Sequence, residues 1–346
     1  MNMRRTYIIA EAGVNHNGSE NMALKLVEVA AQAGADAIKF QTFKADNLVI
    51  KGTATADYQK NNSGDDDQYL MLKKLELSED LHLKLIKHCK QFNIEFLSTP
   101  FDISSAKMLL DFGMKRIKIP SGELTNLPLI KKLAELNCPV ILSTGMASLD
   151  EVNEAVDVIQ QTRNKLDFQE PLEHILTLLH CTSNYPAKTE SVNLKAMQTM
   201  ADYFSLPVGY SDHTDGIVIA IAAVAMGAKV IEKHFTLDRE LPGPDHKASL
   251  EPDELEQMVS DIRKVENCFG NGQKEPQPDE LPVRKLVRRS ICLARNMESG
   301  EVIKEDDLQM LRPGTGIPPG QLQLVIGKQL KSSLQSGSMI SWQDLY

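Results

Sequence analysis

Short apolar runs that each end in a polar, chemically capable residue recur along this chain. They include Ala37-Ile38-Lys39-Phe40-Gln41, Ile117-Lys118-Ile119-Pro120-Ser121 and Val140-Ile141-Leu142-Ser143. Val208-Gly209-Tyr210-Ser211-Asp212-His213 and Val230-Ile231-Glu232-Lys233-His234 complete the set. Parallel strands buried on both faces read as such runs, and strands alternating with amphipathic stretches predict βαβ units. The pattern gives eight strands, over 7–10, 37–41, 95–98, 116–119, 140–143, 175–180, 207–210 and 229–234. Helices are expected over 19–33, 78–92, 103–112, 127–136, from 148, and over 193–203, 217–226 and 252–268. Ser19 and Ser78 suit N-caps, Gly34 suits a C-terminal stop, and Ser148 with Glu151 suits a capping box. The fold class expected is α/β, a (β/α)8 TIM barrel, whose polar strand ends gather on the rim that carries chemistry in such barrels.

Two stretches break the rhythm. Residues 44–77, with Asn61-Asn62-Ser63-Gly64-Asp65-Asp66-Asp67, are long and polar, and read as an active-site lid or a disordered loop. Residues 270–282 are rich in Gly, Pro, Gln and acidic side chains and read as a linker. The domains expected are therefore a barrel over 1–269, that linker, and a small, mainly β unit over 283–346 broken by turns at Gly300, 312–316 and 318–320. About sixty residues without disulfides make a marginal domain, so this unit is expected to lean on the barrel or on another subunit.

Composition narrows the function classes. The 346 residues carry a net charge of −9, with no long Lys/Arg run, which argues against a nucleic-acid partner. Five dispersed cysteines without a CxxC pair read as reduced thiols. The start, Met1-Asn2-Met3-Arg4-Arg5, is followed by too few apolar residues for a signal-peptide core, and the longest apolar run, 217–228, is too short for a membrane span. A cytoplasmic protein with no membrane partner is expected.

The strand ends hold the candidate chemistry. His213 and His234 close neighbouring strands. Either alone would read as a strand cap, but two at matching positions suit a divalent transition metal such as manganese, iron or zinc. Glu232 shares a strand face with His234 and either orders a water or is a paired interior carboxylate. Lys39 and Lys118 lie inside strand runs, where an ammonium needs an anionic partner. With Thr99, Ser121, Ser143 and Ser211 they form a trap suited to phosphate and carboxylate, while a Schiff-base lysine is the rival catalytic reading. Glu11 ends the first strand and suits acid/base or hydroxyl-orienting work. Asn15, His16 and Asn17 behind it are turn-compatible and read as structural. Tyr185 follows the sixth strand, where it could line a sugar-sized pocket, and Gln41 and Asp245 suit polyol hydroxyls, although a turn residue bonded to its own backbone remains the competing reading of Asp245. Arg312 is a lone cation in a tight turn.

Together these motifs resemble the sialic acid synthase family. The matching segments are Ile9-Ala10-Glu11-Ala12-Gly13-Val14-Asn15-His16, Ile38-Lys39-Phe40-Gln41-Thr42, Ser98-Thr99-Pro100-Phe101 and Lys118-Ile119-Pro120-Ser121-Gly122-Glu123. Leu142-Ser143-Thr144-Gly145-Met146, Ser211-Asp212-His213, Glu232-Lys233-His234-Phe235-Thr236 and Gly243-Pro244-Asp245 follow in order. The unit containing Arg312-Pro313-Gly314-Thr315-Gly316 resembles the antifreeze-like (SAF) domain of that family.

The resemblance implies condensation of phosphoenolpyruvate with an N-acetylated amino sugar and water, giving a nine-carbon 2-keto acid and phosphate. N-acetylmannosamine is the first expectation for the sugar, and a diacetamido-trideoxy hexose of the legionaminate or pseudaminate type the alternative. It implies Mn2+, with Mg2+ or Co2+ as substitutes, on His213 and His234. Phosphoenolpyruvate would be held by Lys39, Thr99, Lys118, Ser121, Ser143, Ser211 and His234. Glu11, Gln41, Ser183, Tyr185, Asp245 and Arg312 would contact the sugar, and Glu11, Lys39, Lys118 and Glu232 would carry the chemistry. It further implies a domain-swapped homodimer in which Arg312 completes the neighbour's site. An aldolase or metal hydrolase on the same barrel is the rival enzyme, and a binding protein acting through its C-terminal unit the rival outside enzymes.

Overall fold

The computed structural model describes residues 5–55 and 66–346. The chain divides into two units, Met1–Phe269 and Gly270–Tyr346. The first is the expected TIM barrel. Its strands are β1 (Tyr7–Gly13), β2 (Ala37–Thr42), β3 (Glu95–Pro100), β4 (Ile117–Ile119), β5 (Val140–Ser143), β6 (Leu176–Cys181), β7 (Val208–Asp212) and β8 (Val230–His234). All seven ladders are parallel, in the order β3-β2-β1-β8-β7-β6-β5-β4, and the two ends of that order, β3 and β4, pack side by side to complete the barrel.

The helices between the strands start and stop where the sequence sets them. Ser19 accepts from Met22 N–H ahead of the helix Glu20–Gln32, and Gly34 takes φ +80° behind it. Ser78 caps the helix Glu79–Gln91, and Ser148 with Glu151 forms a complete capping box on Leu149–Lys165. Each cap satisfies orphan N–H groups and contributes about 1 kcal/mol. The apolar faces of these helices and the strands form one continuous core running from Ile8 to Ile262.

The polar stretch over 44–77 is more structured than expected. Its described part contains the short helix Ala45–Leu48 and the helix Gln68–Leu75, and Val14, Phe43, Met71 and Leu75 bury together in a satellite cluster. Residues 61–65 of the polar run, like Met1–Arg4, lie outside the described residues.

In the second unit, β9 (Ser290–Leu293) pairs antiparallel with β10 (Leu308–Leu311), and isolated bridges tie in the remaining loops. Ile291, Leu293, Met297, Ile303, Ile317, Val325, Leu330, Ile340 and Leu345 form its core. The stretch read as a linker runs into the helix Glu280–Val287, so turn-rich chain gives way to helix before residue 282. Proline at 282 falls in the first turn of that helix, where its missing N–H costs no bond. No helix among the described residues is long and apolar enough to cross a membrane.

Candidate active site

Strand register builds the site. On β1, Glu11 stands opposite Lys39 of β2 on one side and His234 of β8 on the other, and Ser211 of β7 stands opposite Glu232. Residues two apart share a strand face, so Glu232 and His234 both point into the barrel. Lys39 Nζ lies 2.5 Å from Glu11 Oε2 and 3.7 Å from Glu232 Oε2, and donates to Thr99 Oγ1 at 3.0 Å. Lys118 Nζ lies 3.6 Å from Glu232 Oε1 and donates to Ser143 Oγ at 2.8 Å. Ser211 Oγ donates to Glu232 Oε1 at 3.0 Å. Both interior lysines thus find carboxylate partners, and the four charges cancel formally within the barrel mouth.

The two carboxyls differ in acidity. Burial works against ionisation of Glu232, but the Lys118 and Lys39 ammonium groups and the Ser211 hydrogen bond outweigh it and hold this carboxyl well below its usual range. Glu11 goes the other way: burial, helped by the Glu232 charge, lifts it to about 7 against the pull of Lys39. Burial depresses Lys118, whereas Glu11 and Glu232 overcome burial at Lys39 and raise it. Glu232 is the fixed anion of the cluster and Glu11 the group that exchanges a proton near neutral pH.

A ring of hydroxyls surrounds these charges. Thr99, Ser121, Ser143 and Ser211 line the same cavity as Glu11, Lys39, Gln41 and Lys118. Ser121 and Ser183 meet at Gly145, where a Cβ would stand 2.4 Å from Ser121 Cβ and 2.7 Å from each of the two hydroxyl oxygens. Gly145 also takes φ +49°, so both the space and the backbone demand glycine. Ser183 Oγ is buried with no hydrogen-bond partner among the described residues, and Ser183 does not itself line the cavity.

His213 and His234 face each other across the mouth with ring centroids 5.8 Å apart. The His213 Nδ1–H donates to the Thr182 carbonyl at 2.5 Å, which leaves Nε2 with its lone pair exposed to the Tyr185 hydroxyl at 3.0 Å and Ser211 Oγ at 3.3 Å. Burial keeps His213 at about 4 and His234 well below its usual range, so both rings are neutral. Among the described residues His234 Nδ1 is buried without a partner. Neutral, oriented imidazoles with an unsatisfied buried nitrogen fit a divalent metal. Among the described residues no third His, Cys, Asp or Glu joins them in a metal-holding group, so an ion there would keep positions open for other ligands.

Tyr185 stacks on His213 at 4.1 Å and meets His234 edge-on at 5.5 Å. Asp245 is buried close enough to feel the Lys39 charge, and burial lifts its carboxyl to about 6. Arg312 is an exposed side chain of the C-terminal unit. Phe101, Pro120 and Cys181, none of them a candidate from the sequence, also line the cavity. Cys181 carried a usable signal, since it ends β6 opposite Ser211 in register. A larger cleft lies at the opposite strand ends, lined by Thr6, Lys229, Arg263, Glu266 and Phe269 among others. There Arg263 is paired with Asp36 and Glu266. That end of a barrel serves stability, and the lysines, hydroxyls and imidazoles described above converge at the other.

The NeuB family model matches residues 26–274 and the SAF domain model residues 288–345. An N,N'-diacetyllegionaminic acid synthase of Legionella pneumophila is 52% identical over 340 residues, 98% of this chain and 94% of that protein. Its counterpart in Campylobacter jejuni is 48% identical over 339 residues, 98% of this chain and 99% of that one. Among solved structures, the N-acetylneuraminic acid synthetase of Leptospira borgpetersenii is 36% identical with a TM-score of 0.69, covering 81% of this chain and 90% of its own. By these matches, and with a SAF domain at its C-terminal end, the chain belongs to the NeuB family, an enzyme family of sialic-acid-type synthases.

Proposed function

We propose that the protein condenses phosphoenolpyruvate with a diacetamido-trideoxy hexose to give a legionaminate-type nine-carbon 2-keto acid and phosphate. The observation that carries this reading is the convergence of Lys39, Lys118, four hydroxyls and two neutral imidazoles on one cavity, in a chain 52% identical to an N,N'-diacetyllegionaminic acid synthase. That identity favours the diacetamido sugar over N-acetylmannosamine, the first expectation from sequence.

Lys39 and Lys118, with Thr99, Ser121, Ser143 and Ser211, neutralise and orient the phosphate and carboxylate of phosphoenolpyruvate. His213 and His234 would hold the divalent ion, of manganese, magnesium or cobalt type, and such an ion supplies Lewis-acid polarisation of the sugar aldehyde. C3 of phosphoenolpyruvate attacks the aldehyde carbon, positive charge develops at C2, and water adds there. Breakdown of the adduct cleaves the C–O bond and releases phosphate. Glu11 takes the proton of the water or orients a sugar hydroxyl, while Glu232 holds both lysines charged. Gln41, Ser183, Tyr185 and Asp245 face the sugar, and Arg312 from a second subunit completes the site in a domain-swapped dimer.

The test is phosphate release from phosphoenolpyruvate with a panel of amino sugars and a divalent metal. Release must require both substrates, and kcat/KM must be highest for the diacetamido-trideoxy sugar. Phosphoenolpyruvate labelled in its bridging oxygen must pass the label to phosphate. Label retained in the keto acid, or a borohydride-trapped adduct on Lys39 or Lys118, would replace this reading with an aldolase-type one.

A further inference from the structure

The turn behind β1 is bonded to the loop that follows β8 by a set of long-range side-chain contacts. Asn15, 1% exposed, donates from Nδ2 both to the Phe235 carbonyl at 2.8 Å and to Ser249 Oγ at 2.9 Å. The Ser249 hydroxyl in turn donates to the backbone carbonyl of Asp245 at 2.6 Å. Asn17 Nδ2 donates to the Pro242 carbonyl at 2.8 Å, and Asn17 Oδ1 accepts from His246 Nε2 at 3.2 Å. That leaves His246 Nδ1 to accept the Thr236 hydroxyl at 2.7 Å. The loop over 236–249 is therefore fastened on both sides of Asp245: at Pro242 and His246 through Asn17, and at Asp245 itself through Ser249 and Asn15.

Close approach is built into this joint. Gly243 takes φ +153°, and a Cβ there would lie 2.7 Å from His246 Cδ2 and 2.8 Å from Asn17 Oδ1. The β1 turn has no spare room against the loop, and the Asn15 amide N–H groups and both ends of the Asn17 amide are spent across the gap, not on their own backbone, while Asn15 Oδ1 is buried without a partner among the described residues. Residues that merely closed a turn would bond locally.

We propose that Asn15 and Asn17 are positioning residues for the sugar, acting through Asp245: they fix the loop after β8 that carries the buried Asp245 carboxyl. The inference rests on the reading of Asp245 as a sugar contact. A carboxylate that hydrogen-bonds a polyol must be placed to within a fraction of an ångström, and a loop free to shift by 1 Å loses most of that interaction. Neither Asn15, Asn17 nor Asp245 lines the central cavity, so the asparagines act on the sugar only through where the loop holds the Asp245 carboxyl, and the effect is confined to that substrate.

The test is steady-state kinetics on the full chain with phosphoenolpyruvate, the best sugar of the panel and a divalent metal. Asn17→Gly removes both clasp bonds and tolerates the φ of +50° found at this position, so it avoids new strain. Asn15→Asp keeps the shape and removes both donors. Each is expected to raise KM for the sugar by about tenfold, with KM for phosphoenolpyruvate changed less than about twofold. Trypsin cleavage after the exposed Lys247 is expected to accelerate in both variants. In an Asp245→Ala background Asn17→Gly is expected to add nothing to the sugar KM. A raised sugar KM in Asp245→Ala with wild-type values in both asparagine variants would overturn the positioning role alone. A wild-type sugar KM in Asp245→Ala would overturn the sugar contact, and the positioning role with it.

Discussion

Lys39 Nζ stands 2.5 Å from Glu11 Oε2 and 3.7 Å from Glu232 Oε2, so a single buried cation bridges two carboxyls of opposite tendency. Glu232 stays charged, and Glu11, at about 7, titrates within the working range. In its proposed role as base Glu11 acts in the ionised form, so kcat should rise with pH through about 7 and level off above it. Glu11→Gln keeps the volume and removes the titrating group. The expected outcome is a fall of about a hundredfold in kcat together with loss of that rising limb. A variant that keeps the limb assigns it to another group.

Lys118, proposed to hold phosphoenolpyruvate, is expected to matter to stability as well. Its ammonium is one of the two that keep Glu232 ionised, at 3.6 Å and fully inside the barrel. Removing one member of a buried ion cluster leaves charge without compensation, which costs about 3 kcal/mol. Lys118→Met should therefore lower the urea midpoint clearly and raise KM for phosphoenolpyruvate by more than about tenfold. A stable variant with wild-type KM would remove this lysine from both roles.

Gly145→Ala tests the hydroxyl ring. The new methyl group must displace Ser121, Ser183 or the backbone, because its built position overlaps both side chains. The positive φ adds strain for any L side chain. A stability loss of about 1–3 kcal/mol is expected, with kcat/KM for phosphoenolpyruvate falling by at least about tenfold. Thermal melts and initial rates on the same preparation separate the two effects.

These cases also mark where sequence reading reaches its limit. The eight strands were visible because both faces of a parallel barrel strand are apolar, and the N-caps because Ser19, Ser78 and Ser148 sit immediately before amphipathic runs. Among the residues lining the cavity, Thr99, Ser121, Ser143, Ser211, His213 and His234 stand at polar breaks near the ends of those runs, and Lys39 and Lys118 are charges inside them. What stayed hidden depends on distance in space. The collision at Gly145 involves side chains 24 residues upstream and 38 downstream, and the partners of Asn15 and Asn17 lie more than 200 residues away. Asn15 and Asn17 therefore looked like ordinary turn formers. The described parts of 44–77 were misjudged for a related reason: Met71 and Leu75 are too few to announce a helix until they meet Val14 and Phe43.

Three variants test the proposed metal ligands and the proposed exchange of Arg312 between subunits. His234→Ala should abolish metal-dependent turnover, and so should His213→Ala, with activity not restored by excess Mn2+. Arg312→Ala should keep the fold and lose most sugar use. If each site draws its arginine from the other subunit, mixing and reannealing His234→Ala with Arg312→Ala chains places one intact site in every mixed dimer. Random pairing then restores about a quarter of wild-type activity. No recovery, with mixed dimers verified by mass, would argue against an exchanged Arg312.

Lys233, between the two inward residues of β8, points out of the barrel and is fully buried against Asp212 of β7 at 2.9 Å, with the Thr214 carbonyl as a further acceptor. A slip of β8 by one residue would turn this ammonium inward and strand Asp212 without a counter-ion in an apolar layer. The misaligned barrel is thereby made unaffordable twice over, and the alignment that carries Glu232 and His234 to the mouth is enforced from outside it. Engineering that trades Lys233 and Asp212 for a well-packed apolar pair could leave the protein stable yet looser in strand alignment, an error seen first in the chemistry and only later in the melting curve.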